Sequence, residues 1–367
     1  MTKGNPDKIL LGSIFSLIIF GLMMIASAGI IYSQTRFGDQ YYFFRRQLIW
    51  GIFPGLIGFY FLQRIDYHFW KKMAVVFFLI SLVLLVLVFV PSFGIKTYGA
   101  SRWIQLGPLS FQPSEMLKLS IILYLALWLE NKGAKRTKDF FEGLMPFLAV
   151  LGIVAFLVIK QPDLGTLGVI VLVSLAVFFA AGAKSVHLLA MVLGGFLSLF
   201  VLIKTEPYRF NRFLAFLNPQ TDPQGIGYHI NQALIAIGSG GLLGISLGHS
   251  RQKFNYLPEP AGDSIFAIIG EELGFLGAFI LITLFVVLAM RGFRIAKKAP
   301  DEFGKLVAVG ITSWIVFQAF INVGSITGLI PLTGVPLPFI SYGGTSIVFL
   351  LAASGILVNI SKQSKNS

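Results

Sequence analysis

Residues 263–291 read "DSIFAIIGEELGFLGAFILITLFVVLAMR", an apolar run interrupted only by Glu271 and Glu272 between its charged ends. It exceeds the ~20 apolar residues with which a helix crosses a hydrocarbon layer. The rest of the chain has the same character. Its 367 residues are 56% hydrophobic and 12% charged, with 36 Phe, and the mean hydropathy is +0.80. One water-soluble core cannot hide that much apolar surface. The sequence therefore predicts an all-α, polytopic membrane protein, a single transmembrane domain over residues 1–367.

Ten spans follow from the apolar runs: 9–31, 48–62, 73–90, 116–129, 144–159, 164–181, 186–203, 264–290, 306–326 and 340–360. The first is too long for a signal peptide and lacks a small-residue cleavage site, so it is expected to stay as a helix. An even count puts both termini on one side. More than half of the 29 Lys and Arg, among them Lys71, Lys72, Arg136, Arg291 and Lys298, then fall in short segments on that side. Basic loops face the cytoplasm, so both termini are expected there. The largest segment on the opposite, outer side is 204–263, between the seventh and eighth spans.

The formal charge of +13 belongs to this loop pattern, and nucleic acid is not an expected partner. No cysteine is present, which excludes disulfides, thiolate catalysis and Cys-type metal sites. No nucleotide-binding phosphate loop, no HExxH pair and no internal repeat occurs, so neither a nucleotide nor an organic cofactor is expected.

Acid or base chemistry is therefore sought among the outer carboxylates. Asp39 in "FGDQ", Asp222 in "TDPQG" and Glu206 read as turn or solvated residues. Glu115 in "FQPSEMLKLS" stands in the first turn of a helix begun by Pro113. Asp163 in "KQPDLGT" reads as a cap for the span that follows. Asp263 in "GDSIF" is equally readable as an N-cap and as a base. On an uninterrupted helix Gly270 and Gly274 share its face, a stripe along which a neighbour or a substrate approaches closely. Glu271 and Glu272 lie about 12 Å deeper, where ionisable groups are expensive; structural and functional roles both fit them.

Two outer segments have distinctive composition. "RFNRFLAFLNP" (209–219) suits an amphipathic surface helix, and "IGSGGLLGISLGHSRQK" (237–253) reads as a flexible loop or a glycine-rich cradle for a pyrophosphate. "NVGSITGLIPLTGVPLPFISYGGTS" (322–346) is uncharged and carries three prolines, as irregular backbone lining a cavity does.

"QPSEMLKL", "AIGSGGLLG", "SRQKFNYLPE", "FAIIGEELGFLG" and "GLIPLTGVPLPFISYGG", in this order, resemble the SEDS family of bacterial cell shape, division and sporulation proteins. The resemblance covers all ten spans and is greater to the division branch, FtsW, than to the elongation branch, RodA. It implies a peptidoglycan glycosyltransferase that polymerises lipid II at the outer face of the bacterial cytoplasmic membrane. The implied partners are a class B penicillin-binding transpeptidase, the nascent glycan strand, division proteins and membrane lipids. A divalent ion, Mg or Mn, is implied as well. Asp263 matches the family's essential aspartate. Arg102, Lys118, Lys160, Asp163, Arg212, Lys253, Glu259, Ser341 and Gly343 are the expected substrate contacts, with Lys118 equally readable as a snorkelling anchor. One departure stands out. The family has His, then Thr or Asn, before this Asp and Phe after it, where this chain has Ala261, Gly262 and Ser264. Three alternatives remain at this level: a lipid II flippase, a RodA-type elongation polymerase, and a noncatalytic scaffold.

Overall fold

The computed structural model describes residues 4–97, 100–107, 109–219 and 225–364. Asp222 lies outside them. Helix α1 is Lys8–Ala28, followed by α2 (Ile30–Phe37), α3 (Tyr42–Arg46), a π turn at Gln47–Ile52, α4 (Phe53–Leu62) and α5 (Tyr67–Leu87). After a small sheet come α6 (Pro113–Thr137), a second π turn (Phe140–Leu144), α7 (Met145–Lys160), α8 (Leu164–Ala180) and α9 (Ser185–Thr205). The segment between α9 and the next long helix holds α10 (Pro207–Leu217) and α11 (Ile226–Ser239), and the chain continues with α12 (Ile265–Lys297), α13 (Glu302–Ile326) and α14 (Gly344–Gln363).

All ten expected spans coincide with helices, and seven helical segments are long and apolar enough to cross a membrane. The other three are the segment ending in α4, the polar α6 and the shorter α8. α13 is the central column, packed on α12, α8 and α6 and fully burying Trp314. α9 buries none of its residues and presents Val186, Leu193, Phe196 and Phe200 outward, as suits contact with lipid.

Several aspartates in the segments between spans start helices. Asp7 accepts from Ile9 N and Leu10 N, Asp66 from His68 N, Asp139 from Phe141 N and Glu142 N, and Asp301 from Gly304 N. Each satisfies amide groups that a helix start leaves without an internal partner. The two ends of the chain meet, with Gly4 N donating to Lys362 O (2.8 Å) and Asp7 N to Ser361 Oγ (3.3 Å). Asp7 also pairs with Arg291 near the end of α12. Asp263, at the start of α12, therefore occupies the opposite end of the bundle.

Two features depart from the sequence reading. Strands Gly94–Thr97 (β1), Ala100–Leu106 (β2) and Leu109–Phe111 (β3) form an antiparallel meander over the Asp263 end, in order β1-β2-β3. And α12 is not continuous: Gly274 adopts φ +64, ψ −164 inside it. The amides freed there are taken up by the glycine-rich stretch, Phe275 N donating to Gly241 O (2.9 Å) and Leu276 N to Leu242 O (3.1 Å). Ile245 N returns a bond to Glu271 O (3.0 Å). Gly240 and Gly244 lie so close to the α12 backbone that any side chain would collide with it. The Gly270/Gly274 pair does allow close approach, but what approaches is the chain's own 237–245 segment. Its backbone is tied to α12, while Leu242 and Leu243 point outward.

A left-handed residue with no room for Cβ tolerates only glycine, so Gly274→Ala is expected to cost about 1–3 kcal/mol. In detergent its thermal midpoint falls well below that of wild type. Gly238→Ala, whose Cβ would meet nothing within 4 Å, leaves the midpoint nearly unmoved.

Candidate active site

Asp263 ends a tight turn, residues 258–264, whose backbone is pinned at three successive carbonyls. Ala261 O accepts from Tyr342 N (2.8 Å), Gly262 O from Ser341 Oγ (2.7 Å) and Asp263 O from Asn322 Nδ2 (2.7 Å). Asn322 also donates to Val335 O (2.8 Å), and one helical turn earlier on α13 Gln318 Nε2 donates to Pro336 O (2.9 Å). The uncharged, proline-containing segment after α13 is thereby folded into a wall against the Asp263 turn. Gly334, at φ +70, faces Asp263 so closely that a Cβ would stand 3.6 Å from Oδ2. Gln47, in the first π turn, accepts from Gly343 N (3.0 Å) and closes the far end of the wall. Ser341 and Gly343 thus hold the site's frame.

The carboxylate sits among few but strong influences. Burial pushes Asp263 up to about 6, against a hydrogen bond from Ser264 Oγ (3.3 Å) and the positive charge of Arg212. Burial also raises Glu259, and the neighbouring charge of Asp263 raises it further, while His229 and Arg36 oppose the shift. His229 is driven down to about 4, by burial first, with Arg212 acting in the same direction and Glu259 against it. At neutral pH the imidazole is therefore uncharged. Arg212 comes from α10 and donates from Nη1 to Leu332 O (3.1 Å), which fixes its charge beside the wall.

The structure gathers Asp263, Glu259, Arg212 and Ser341 in one place; the other expected contacts fall around it. Asp163 caps α8 through Thr166 N (3.2 Å), and Arg102 on β2 donates to the carbonyls of Gln161 (3.1 Å) and Pro162. They stand behind the wall, since Gly165 packs on Thr333 and Val335, the neighbours of Gly334. Lys160 Nζ lies over the Phe156 ring, 5.8 Å from its centroid. Lys118 does not snorkel. It is buried, 2.7 Å from Glu115 Oε1 and 2.8 Å from Gln318 Oε1, with Trp314 beside it.

Lys253 and the two deep glutamates form a separate knot. Lys253 Nζ meets Glu272 Oε1 (3.1 Å) and Gly248 O (2.5 Å), and Glu272 accepts from Ser27 Oγ on α1 (2.6 Å). Glu271 accepts from Ser250 Oγ (2.5 Å) and Arg251 N (2.9 Å). Both glutamates thus moor residues 248–253 to α12. Sequence reasoning missed His229, Asn322 and Gln318. The last two were detectable as polar residues four apart in an apolar span, a spacing that puts them on one face.

Breaking a fully buried ion pair leaves one uncompensated charge, at a cost of about 3–5 kcal/mol. Lys253→Met is accordingly expected to destabilise the chain strongly. Adding Glu272→Leu recovers much of the loss in thermal denaturation, because the orphaned charge is then gone.

Comparison with known proteins matches residues 8–366 to the FtsW/RodA/SpoVE family model, described as cell cycle protein. Stage V sporulation protein E of Bacillus subtilis (strain 168) is 43% identical over 364 residues, 99% of each chain. A probable peptidoglycan glycosyltransferase FtsW of Geobacter sp. (strain M18) is 39% identical over 361 residues, 98% of each. Among solved structures, a chain from a study of how a peptidoglycan synthase complex coordinates polymerization and crosslinking superposes with TM-score 0.78 at 28% identity, covering 97% of each chain. The rod shape determining protein RodA of Thermus thermophilus gives 0.72 at 27% identity, covering 99% of this chain and 98% of its own.

Proposed function

The chain belongs to the FtsW/RodA/SpoVE family, and from that premise we propose that it is a peptidoglycan glycosyltransferase that polymerises lipid II, with Asp263 as its general base. The observation that carries the reading is the placement of Asp263: a carboxylate raised to about 6 at one end of the bundle, beside a fixed arginine and a preformed wall. The 4-hydroxyl of one saccharide attacks the anomeric carbon of the other. The new C–O bond forms as the bond to the lipid diphosphate breaks, with inversion, and the hydroxyl proton passes to Asp263. A base with pKa near 6 is ionised at neutral pH yet binds a proton more firmly than an ordinary carboxylate. Arg212 faces the same space and stabilises charge on the departing diphosphate. Glu259 is the second carboxylate of the site, and Arg102 and Asp163 border it across the 333–335 strip.

A divalent ion, Mg or Mn, fits this site as a companion of the diphosphate and not as a resident of the protein. Among the described residues no three His, Asp or Glu side chains converge on one point. An ion bound mainly by phosphate oxygens and water needs no such cage.

The membrane is the bacterial cytoplasmic membrane, with both termini in the cytoplasm and the Asp263 end outside, a reading supported by the basic loops on the terminal side. The partner is a class B penicillin-binding transpeptidase, consistent with the likeness to a chain of a synthase complex that also crosslinks. Division proteins and lipids complete the surroundings. The deep glutamates that could serve a flippase, Glu271 and Glu272, are occupied in mooring a loop, which favours the polymerase. A second reading differs only in the stage of the cell cycle. The 43% identity to a stage V sporulation protein favours the same polymerase acting in sporulation.

Asp263→Asn is expected to abolish glycan strand formation from lipid II in detergent with the transpeptidase present, while the chain keeps its thermal midpoint. Near-normal strand synthesis by that variant refutes the role of Asp263. The wild-type rate is expected to fall as pH drops through about 6, because the base is then protonated. A reporter fused at the C-terminus is expected to report cytoplasm, and one inserted between Asn218 and Gly225 the outside; the reverse pattern overturns the orientation.

A further inference from the structure

The residues just before Asp263, Ala261 and Gly262, carry no polar side chain. An imidazole reaches the site from elsewhere in the fold. His229, on α11, reaches across so that Nε2 lies 2.6 Å from Ser264 Oγ, the residue just after Asp263. Ser264 Oγ is in turn 2.8 Å from Pro258 O and 3.3 Å from Asp263 Oδ1. Both His229 and Ser264 are buried, so these contacts do not compete with bulk water.

Counting protons fixes the direction of each bond. The Pro258 carbonyl and the ionised Asp263 can only accept, so the single Ser264 hydroxyl proton is shared between them, with Pro258 O at 2.8 Å as the shorter branch and Asp263 Oδ1 at 3.3 Å as the longer. The 2.6 Å contact with His229 then requires the proton to sit on Nε2, with Ser264 Oγ accepting. A donor held on one side of the hydroxyl prevents Ser264 from turning its proton towards α11. It also makes the hydroxyl a stronger donor towards the turn. The imidazole need not change charge to do this.

We propose that His229 is a positioning residue for Asp263: through Ser264 it orients the carboxylate and locks the 258–263 turn, from a helix distant in sequence. The charged groups around the carboxylate are Glu259 on the same turn and Arg212 on α10, with Arg36 on α2 acting on Glu259. α13 contributes only the uncharged Asn322. Ser264 Oγ lies 3.3 Å from Asp263 Oδ1, which makes it a direct route from His229 to the carboxylate.

The inference rests on the polymerase reading, and the test separates the two. His229→Leu removes the donor; His229→Gln restores an N–H at similar reach without a titratable ring. In the lipid II assay with the full-length chain and its transpeptidase, His229→Leu is expected to lower kcat about tenfold at little change in KM. Its acid limb moves to higher pH, because the Ser264 hydroxyl, no longer polarised and held by the imidazole, is a weaker donor to the charged carboxylate. His229→Gln stays within about threefold of wild type with an unmoved limb. His229→Leu/Ser264→Ala is no worse than the poorer single variant, since both act through one contact. A His229→Leu enzyme with wild-type kcat and acid limb overturns the proposal, as does a His229→Gln enzyme as impaired as His229→Leu. Absence of polymer from wild type would refute the polymerase reading and not this one. In that case the Asp263 carboxyl is titrated by infrared difference spectroscopy, each form against its Asp263→Asn counterpart. A midpoint raised in His229→Leu and unchanged in His229→Gln supports the positioning role, and equal midpoints in all three reject it.

Discussion

One carboxamide joins the parts on which the Asp263 end depends. Asn322 donates both of its amide protons, one to Asp263 O and one to Val335 O, and so ties the Asp263 turn and the wall to the most central helix. Neither the turn nor the wall is regular structure, so each has backbone groups that no helix satisfies. In a chain surrounded by lipid those groups must find partners inside the protein. Gln318, Ser341 and Gln47 extend the same solution around the wall. The irregularity that a cavity requires is thus supported by four uncharged side chains.

Charged residues in the apolar interior serve the same end by other means. Lys118 with Glu115 holds Gln318, and Gln318 holds Pro336. Lys253 with Glu272, and Glu271 with Ser250 and Arg251, hold the 248–253 stretch that precedes the turn. An isolated charge at such depth is costly, whereas a pair with its remaining lone pairs occupied is tolerable and fixes geometry. The two buried cations therefore stand one step behind the reacting groups, as supports of the backbone that carries them. Arg212 differs in acting on the site directly, because its charge favours the ionised form of Asp263.

Helix positions were legible because their cause is local: an apolar run of sufficient length has one stable form in lipid, and all ten runs became helices. Asp263 was legible as a short-range pattern, a carboxylate directly before such a run. What could not be read was any contact between distant segments. The break at Gly274 looks on a helical wheel like a continuation of a stripe; only the packing of residues 240–245 against it explains φ +64. Glu271 and Glu272 look like candidates for chemistry until residues 248–253 are folded back upon them. The meander at 94–111 was passed over because a short amphipathic sheet has no signal comparable to a transmembrane run. The imidazole of the site, His229, is 34 residues away from Asp263 along the chain, and proximity in space is the one property a linear pattern does not carry.

The placement of Asp263 near one end of the bundle, and not midway through it, suits the chemistry proposed for it. A carboxylate deep in hydrocarbon would be neutral, unable to accept a proton, while one fully in water would be too weak a base to share it in a transition state. The turn at 258–264 meets both requirements, since the buried frame below supplies partial desolvation and Arg212 and Ser264 limit it. The same position is where a lipid-linked saccharide presents its diphosphate, at the boundary between acyl chain and water. Base strength and substrate access are therefore set by one coordinate, the depth of the turn. That depth is fixed by where Asn322 falls on α13, one turn above Gln318 and two above Trp314.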